Sequence, residues 1–380
     1  MNRQSKTAWT AAILLFVSFE SVGFQLRGSL LPAIQSTYST STEILGLVAT
    51  AGTLGFVAAV LVTGAVAGRL NIRLTMILSV SVVGISILAV GIAPSFGILL
   101  AALFIRGIAT APFRALDRAV LGHFYPESRA QVFNGYAVIW AVGATTGPLI
   151  AYLATRFGNW RFAYLALSIA FIPAAGLLLY LDVPDSLAAE KPLNRNSLRV
   201  LGSDPAVRTM IVGLIFSGGV EGSLFTWLPY FATTHAGLED GFLLLMVYLA
   251  AYIPARYTYS RVLGSFNPQI MIIVLASLAL PLAIALPLVE SKIGLYVVVC
   301  LLGACVSGLF PTLSAIGVDS VPAYSSPINS LAAAAGFAGI STFPPIVGIL
   351  TARADIARAF YLLPVLLAGY LIVAGFLYRT

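Results

Sequence analysis

Six ionisable side chains stand inside otherwise apolar stretches: Glu20, Arg27, Arg106, Arg114, Asp117 and Glu221. A charge at the centre of a membrane-spanning helix costs about 2.5–3.5 kcal/mol on insertion scales, so such groups persist only where they face a watery space or a partner. Two kinds of chemistry follow from the residue types. A guanidinium presents a planar fork of donors that matches carboxylate and phosphate, so Arg27 and Arg106 are candidates for gripping an anionic or hydroxyl-rich solute. A carboxyl in a partly dry site exchanges a proton, and desolvation and a nearby guanidinium act on that exchange in opposite senses. Glu20 and Glu221 are therefore candidates for carrying one. The alternative for each group is an internal ion pair that ties helices together.

Spacing sharpens these roles. Arg27 follows Glu20 by seven residues, two helical turns, and so shares its face. Arg114 lies about 12 Å further along its helix than Arg106. Asp117 and Arg118 stand at i+3 and i+4 from Arg114, which predicts a local cluster; Arg114 and Asp117 read as an inner gate. Phe24, Trp140 and Trp227, with Phe225, Tyr248 and Tyr252, can stack on a solute ring or pack and anchor at the interface. Gln25 and Asn134 can hydrogen-bond a solute or a neighbouring helix.

These residues need elements that hold them in a membrane. Only 9% of the 380 residues are charged and 59% are hydrophobic, against roughly 25% charged in soluble domains; mean hydropathy is +0.97. No water-soluble core hides that much apolar surface, so the chain reads as an all-α integral membrane protein with the lipid bilayer as its apolar partner. Polar, proline and glycine punctuation predicts twelve spans, at 8–34, 44–68, 72–93, 96–122, 130–155, 161–181, 206–233, 240–263, 268–289, 293–320, 325–352 and 356–378. The first follows a charged start, MNRQSKTAW, that is similar to a signal peptide, but Glu20 and Arg27 interrupt the apolar run and predict a retained span.

With the N-terminus inside, Arg156, Arg161, Lys292, Arg353 and Arg358 fall outside, 5 of the 21 Lys and Arg residues. Arg27, Arg106 and Arg114 lie within spans, and the other 13 fall inside or at inner helix ends. This bias predicts both termini in the cytoplasm of a multi-pass cell-membrane protein. It accounts for the net charge of +7 with no nucleic-acid partner. Residues 182–205, DVPDSLAAEKPLNRNSLRVLGSDP, combine prolines with mixed charge and read as a cytoplasmic linker. It separates an N-terminal six-helix bundle, 1–181, from a C-terminal one, 206–380. GAVAGRLN at 64–71 aligns with SRVLGSFN at 260–267, and LLP at 30–32 with WLP at 227–229, at offsets of 196 and 197. Two six-span halves repeated in parallel are a secondary-transporter plan.

Other functions find no residues. Cys300 and Cys305 lie in an apolar run and read as packed thiols. His123 and His235 stand in separate segments, so no metal site and no cofactor are expected. No G-x-x-x-x-G-K-[ST] loop is present, nothing points to covalent catalysis, and the chain is not read as an enzyme.

The motifs resemble the major facilitator superfamily of secondary transporters. The 2–3 connection GAVAGRLNIR keeps Gly64, Arg69 and Arg73 of the family signature, with Gly68 in place of its acidic residue. Arg106-Gly107 is similar to the helix-4 signature, PESRAQ at 126–131 to the loop after it, and GNWRFAYL at 158–165 to the entry to helix 6. GATTGPLIA at 143–151 partly resembles the helix-5 motif of drug/proton antiporters through Gly143, Gly147 and Pro148. FESVGFQLRGSLLP and GVEGSLFTWLPYF resemble helices 1 and 7 of fucose-permease-like members. The resemblance implies a cavity lined by helices 1, 4, 7 and 10, to which helix 10 offers Ser307, and a gating role for Arg69. With the Arg27/Arg106 pair and the mid-span Glu20 and Glu221, it predicts a monomer that moves a small polar, anionic solute, inward, by alternating access, coupled to a proton or another ion. A proton-driven exporter of amphipathic compounds is the second reading, and a transport-inactive receptor or scaffold the third.

Overall fold

The structure, a computed structural model, describes residues 3–66, 70–125, 127, 129–181, 199, 201–262, 266–321 and 324–379. Among them there are helices and no strand. Twelve segments are long and apolar enough to cross a membrane: α1 Ser5–Ser29, α2 Thr42–Thr63, α3 Ile72–Ile92, α4 Phe96–Phe124, α5 Gly135–Arg156, α6 Arg161–Tyr180, α7 Pro205–Thr234, α8 Gly241–Arg261, α9 Pro268–Leu288, α10 Lys292–Ser320, α11 Ile328–Arg353 and α12 Ile356–Tyr378. The predicted spans meet these within a few residues. The first ends early, and a separate helix, Leu31–Tyr38, follows it with Pro32 in its first turn, where a missing N–H costs nothing. Ile85, Ile92, Ile169, Ile172 and Val365 are exposed. Such residues suit lipid, and the chain is a multi-pass membrane protein.

The chain divides into two compact units. The first comprises Met1–Leu26 and Ala51–Pro192, the second Arg27–Thr50 and Leu193–Thr380. The division does not follow the expected bundles, because 27–50 packs with the C-terminal helices. Residues 182–198 of the expected linker lie outside the described residues.

In the first unit, Phe16 of α1 stacks on Phe113 of α4 with centroids 3.7 Å apart and meets Phe171 of α6 edge-on at 5.7 Å. α5 closes on α1 through Gly143 and Gly147, where a side chain would strike the backbone at Ser18 and Val22; small residues of this kind let membrane helices approach. α3 and α6 run antiparallel and cap one another. Arg73, at the start of α3, donates to the Leu178 carbonyl at 3.3 Å and also to that of Leu179 at the end of α6. Arg161, at the start of α6, donates to the Gly91 carbonyl near the end of α3 at 3.0 Å. Each guanidinium satisfies carbonyls that a helix end leaves without a partner.

In the second unit, α7 is the most enclosed of the twelve helices. Gly218 and Gly222 of α7 face Gly336 and Ile340 of α11 with no room for a Cβ on either glycine. The 27–50 segment rests on the same two helices. Thr50 Oγ1 donates to the Ser341 carbonyl at 2.5 Å, which has no helical donor because residue 345 is proline. Trp227 Nε1 donates to the Pro344 carbonyl at 2.9 Å. Three spans of the second unit expected as continuous are interrupted, α12 at Phe360 and Tyr361 among them. α8 consists of Gly241–Ala250 and Tyr252–Val262, and α10 of Lys292–Ser307 and Leu309–Ser320. Pro254 and Pro311 follow the breaks closely, and each removes a helical hydrogen bond.

Candidate functional site

Each unit buries one glutamate in the middle of its membrane segment. In the first, Ser95 caps the start of α4 by accepting from Ile98 N, and the helix runs unbroken past Arg106. Arg106 Nη2 donates to Glu20 Oε1 at 3.2 Å and to the Glu20 carbonyl at 3.1 Å. Gly23, one turn along α1, leaves room for the guanidinium. Both residues are buried, and among the described residues Arg106 Nε has no partner. Such a pair is a formal neutral: the guanidinium's charge is met by a carboxylate of its own unit.

The second site is built differently. Glu221 lies on α7 and is buried. Its Oε1 accepts a hydrogen bond from Tyr252 OH at 2.9 Å, and that hydroxyl lies 3.0 Å from Tyr248 OH. Both tyrosines come from α8, on either side of its break. Phe225, one turn along α7, turns its ring to Tyr248 and Tyr252 at centroid distances of 6.0 and 6.4 Å. The Arg256 guanidinium covers the other part of Tyr252, 4.9 Å from the ring centroid. The carboxylate is thus held by one neutral hydroxyl, itself bonded to a second, beside a cluster of aromatic rings. A phenol both donates and accepts, so this network satisfies the carboxyl with or without a proton.

A third cluster sits further along α4. Tyr136 of α5 bridges Arg114 and Asp117, accepting from Arg114 Nη1 and donating to Asp117 Oδ2. Arg114 lies 3.8 Å from Asp117. Arg118 N donates to Asp117 Oδ1 at 2.6 Å, and the Arg118 guanidinium lies 5.3 Å from the Tyr136 ring centroid. The helical spacing placed the three α4 residues together; Tyr136 came from another helix, and no local pattern marks it.

The sequence matches the family model of the Major Facilitator Superfamily over residues 13–326. The chain belongs to that superfamily. That superfamily is one of membrane transporters, and the chain spans about a third of the length of the multidrug resistance protein among its relatives. It is 26% identical to the uncharacterised MFS-type transporter YceJ of Bacillus subtilis over 343 residues, covering 86% of this chain and 84% of that one. It is 24% identical to the multidrug resistance protein Stp of Mycobacterium tuberculosis over 199 residues, which is 52% of this chain and only 36% of Stp. Its fold matches the crystal structure of a bacterial homologue of the human lysosomal transporter Spinster with a TM-score of 0.79 and 15% identity, over 99% of this chain and 98% of the other.

The remaining candidates on this facilitator chain are scattered. Arg27 belongs to the second unit, is buried, and donates to the Ala49 carbonyl at 3.1 Å; Glu20 and Arg106 belong to the first. Gln25 and Phe24 are buried on α1, with the Gln25 stem against Gly147. Trp227 is fully buried and spends its N–H on Pro344. Ser307 is fully buried and donates its hydroxyl to Ala304. Trp140 is half-buried on α5. Arg69, Gly68 and the Asn134 side chain lie outside the described residues. Tyr248 and Tyr252 entered the sequence reading as stacking surfaces. The Tyr252 hydroxyl proved to be the partner of Glu221 and the Tyr248 hydroxyl that of Tyr252, and the signal for that pairing was their i, i+4 spacing on one helix face.

Proposed function

We propose that the protein is a proton-coupled exporter of amphipathic, cationic compounds, with Glu221 as the carboxylate that substrate and proton occupy in turn. One observation carries this reading: Glu221 is a buried carboxylate held by the neutral Tyr252 hydroxyl, in a cluster of the rings of Phe225, Tyr248 and Tyr252. A carboxylate beside aromatic faces attracts an organic cation through charge and through the ring quadrupole. Glu20, whose protonation would release Arg106, is the second proton site. The drug-resistance name of the relative Stp supports the direction. We place the protein in the cell membrane as a monomer, with both termini cytoplasmic and Arg114, Asp117 and Arg69 in its inner gate.

A second reading, uptake of a small organic anion, is favoured by the unpartnered Nε of Arg106. Thermal unfolding of the purified protein against lipophilic cations and organic anions separates the two. A ligand at a hundred times its Kd stabilises by about 2.7 kcal/mol. Stabilisation by a cation such as tetraphenylphosphonium, lost in Glu221→Gln, is the expected result. Stabilisation by anions alone, lost in Arg106→Ala, would replace it with the uptake reading.

A further inference from the structure

Three helices of the second unit are interrupted shortly before a proline: α12 breaks at Phe360 and Tyr361 ahead of Pro364, and α8 and α10 break in the same way. α8 breaks at Ala251 and α10 at Gly308, and a proline stands three residues beyond each break, Pro254 and Pro311. Proline has no N–H, so the carbonyl four residues before it loses its helical donor. In α10 that carbonyl belongs to Ser307, and Arg256 Nε donates to it at 3.2 Å. Tyr259 OH donates to the Ala304 carbonyl at 2.8 Å, one turn before the break. Tyr252, Arg256 and Tyr259 stand at i, i+4 and i+7 and so share one face of α8. The Tyr252 end of that face holds Glu221. Its other end holds the break in α10.

We propose that Arg256 is a positioning residue that ties the charge on Glu221 to the break in α10; this rests on Glu221 being the proton-exchanging carboxylate. The groups that bear on Glu221 are Arg256 and Tyr252. Tyr248 interacts with Glu221 and Tyr252, and Cys305 of α10 with Tyr248. Residues 328–352 of α11 include no ionisable side chain, and α12 presents Tyr370, which donates to the Leu309 carbonyl at 3.3 Å. With Glu221 ionised, its charge and the Tyr252 ring together hold the guanidinium on the face that reaches Ser307. A proton from water bonds to a Glu221 oxygen and cancels that charge. Tyr252 keeps the carboxyl hydrogen-bonded, but the electrostatic hold on Arg256 falls. The Ser307 carbonyl loses its donor, and Leu309–Ser320 is released to move against Lys292–Ser307. Deprotonation reverses each step.

The test needs no known substrate. Cys300 is exposed and Cys305 is buried, two residues before Ser307. In a Cys300→Ser background, the rate at which N-ethylmaleimide labels Cys305 reads the opening of the break. All variants are compared at one pH, so thiol ionisation cancels. Glu221→Gln, a stand-in for the protonated acid, is expected to raise the rate about tenfold, the scale of one hydrogen bond to a charged group. Arg256→Gln should raise it equally, and the double variant no further. Pro311→Ala returns an N–H to the Ser307 carbonyl and should bring the Arg256→Gln rate back towards its parent. Additive single effects, an unchanged rate in Arg256→Gln, or no rescue by Pro311→Ala overturns the proposal. If Arg256→Gln does not fold, Arg256→Lys, which keeps the charge without the Nε donor, takes its place in the same cycle. The reading of Glu221 is tested separately, by the pH profile of transport in Glu221→Gln liposomes. A profile that keeps its pH dependence removes Glu221 as proton carrier, whereas the labelling cycle decides only the link to α10.

Discussion

Glu20 and Glu221 are both buried glutamates on the helices that open the two halves of the chain, yet they are held in opposite ways. Glu20 meets a guanidinium carried by α4, a helix that runs unbroken through the site. Glu221 meets the phenol of Tyr252, which in turn meets that of Tyr248; both are carried by α8, a helix that is broken between them. The first arrangement fixes a charge: its partner is always a cation, and the backbone around it has every reason to stay still. The second tolerates both protonation states, because its partner is neutral and reversible in hydrogen-bonding sense. Its helices are already divided into pieces. A proton that arrives at the second site finds backbone able to move, and one that arrives at the first must break an ion pair before anything follows.

The largest effect that would break this contrast is on stability. Glu20→Gln leaves Arg106 buried without its counter-charge, and removing one partner of a buried pair costs about 3–5 kcal/mol. Thermal unfolding in detergent should show this for Glu20→Gln and for Arg106→Ala alike. A cost below about 1 kcal/mol, the scale of an exposed pair, would mean that the pair is already well hydrated and that the two sites are of one kind. Tyr136→Phe comes next. It removes a hydroxyl that serves Arg114 and Asp117 together, and hydrogen bonds to charged groups contribute about 1.5–3 kcal/mol. The same unfolding measurement checks it. A loss as small as that of an unpaired surface tyrosine would remove this cluster from the fixed elements of the first unit.

Much of this architecture was legible in the sequence. Apolar length and punctuation located twelve spans, because the bilayer demands about 20 apolar residues whatever the packing. Charges inside spans picked out Glu20, Arg106 and Glu221, because each is costly enough to need a partner. The partners themselves were less legible. Arg27 and Arg106 read as a joint grip on an anion, since spacing along α1 says nothing of which helix lies opposite. The structure gives Arg106 to Glu20 and assigns Arg27 to the other unit. The breaks in α8 and α10 were hidden for a different reason. Their prolines were visible, but a proline in a span can kink, cap or interrupt, and the outcome at Ser307 depends on Arg256, 51 residues away. The exchange of 27–50 into the second unit rests on backbone approach at Gly28, Gly46 and Gly348, which small residues permit but do not announce.

The smaller effects sharpen the contrast rather than break it. Tyr252→Phe deletes the hydroxyl on Glu221 and keeps the ring under Arg256. Hydrogen bonds inside membranes measure about 0.6 kcal/mol on average and up to about 1.7, so the thermal cost should fall in that range, well below that of Glu20→Gln. Glu221→Gln should cost least, under about 1 kcal/mol, because the amide oxygen still accepts from Tyr252 and no fully buried cation is left alone: Arg256 is only half-buried and keeps the Tyr252 ring even where it leaves the Ser307 carbonyl. Its signature is functional instead. Proton-driven transport in liposomes should lose its pH dependence while exchange of substrate for substrate persists. The same chemical change, Glu→Gln, would then be severe for folding at one site and nearly silent at the other, with the order reversed for coupling. If Glu221→Gln proved as destabilising as Glu20→Gln, Arg256 would be relying on that carboxylate as Arg106 relies on Glu20, and the neutral character of the second site would be lost.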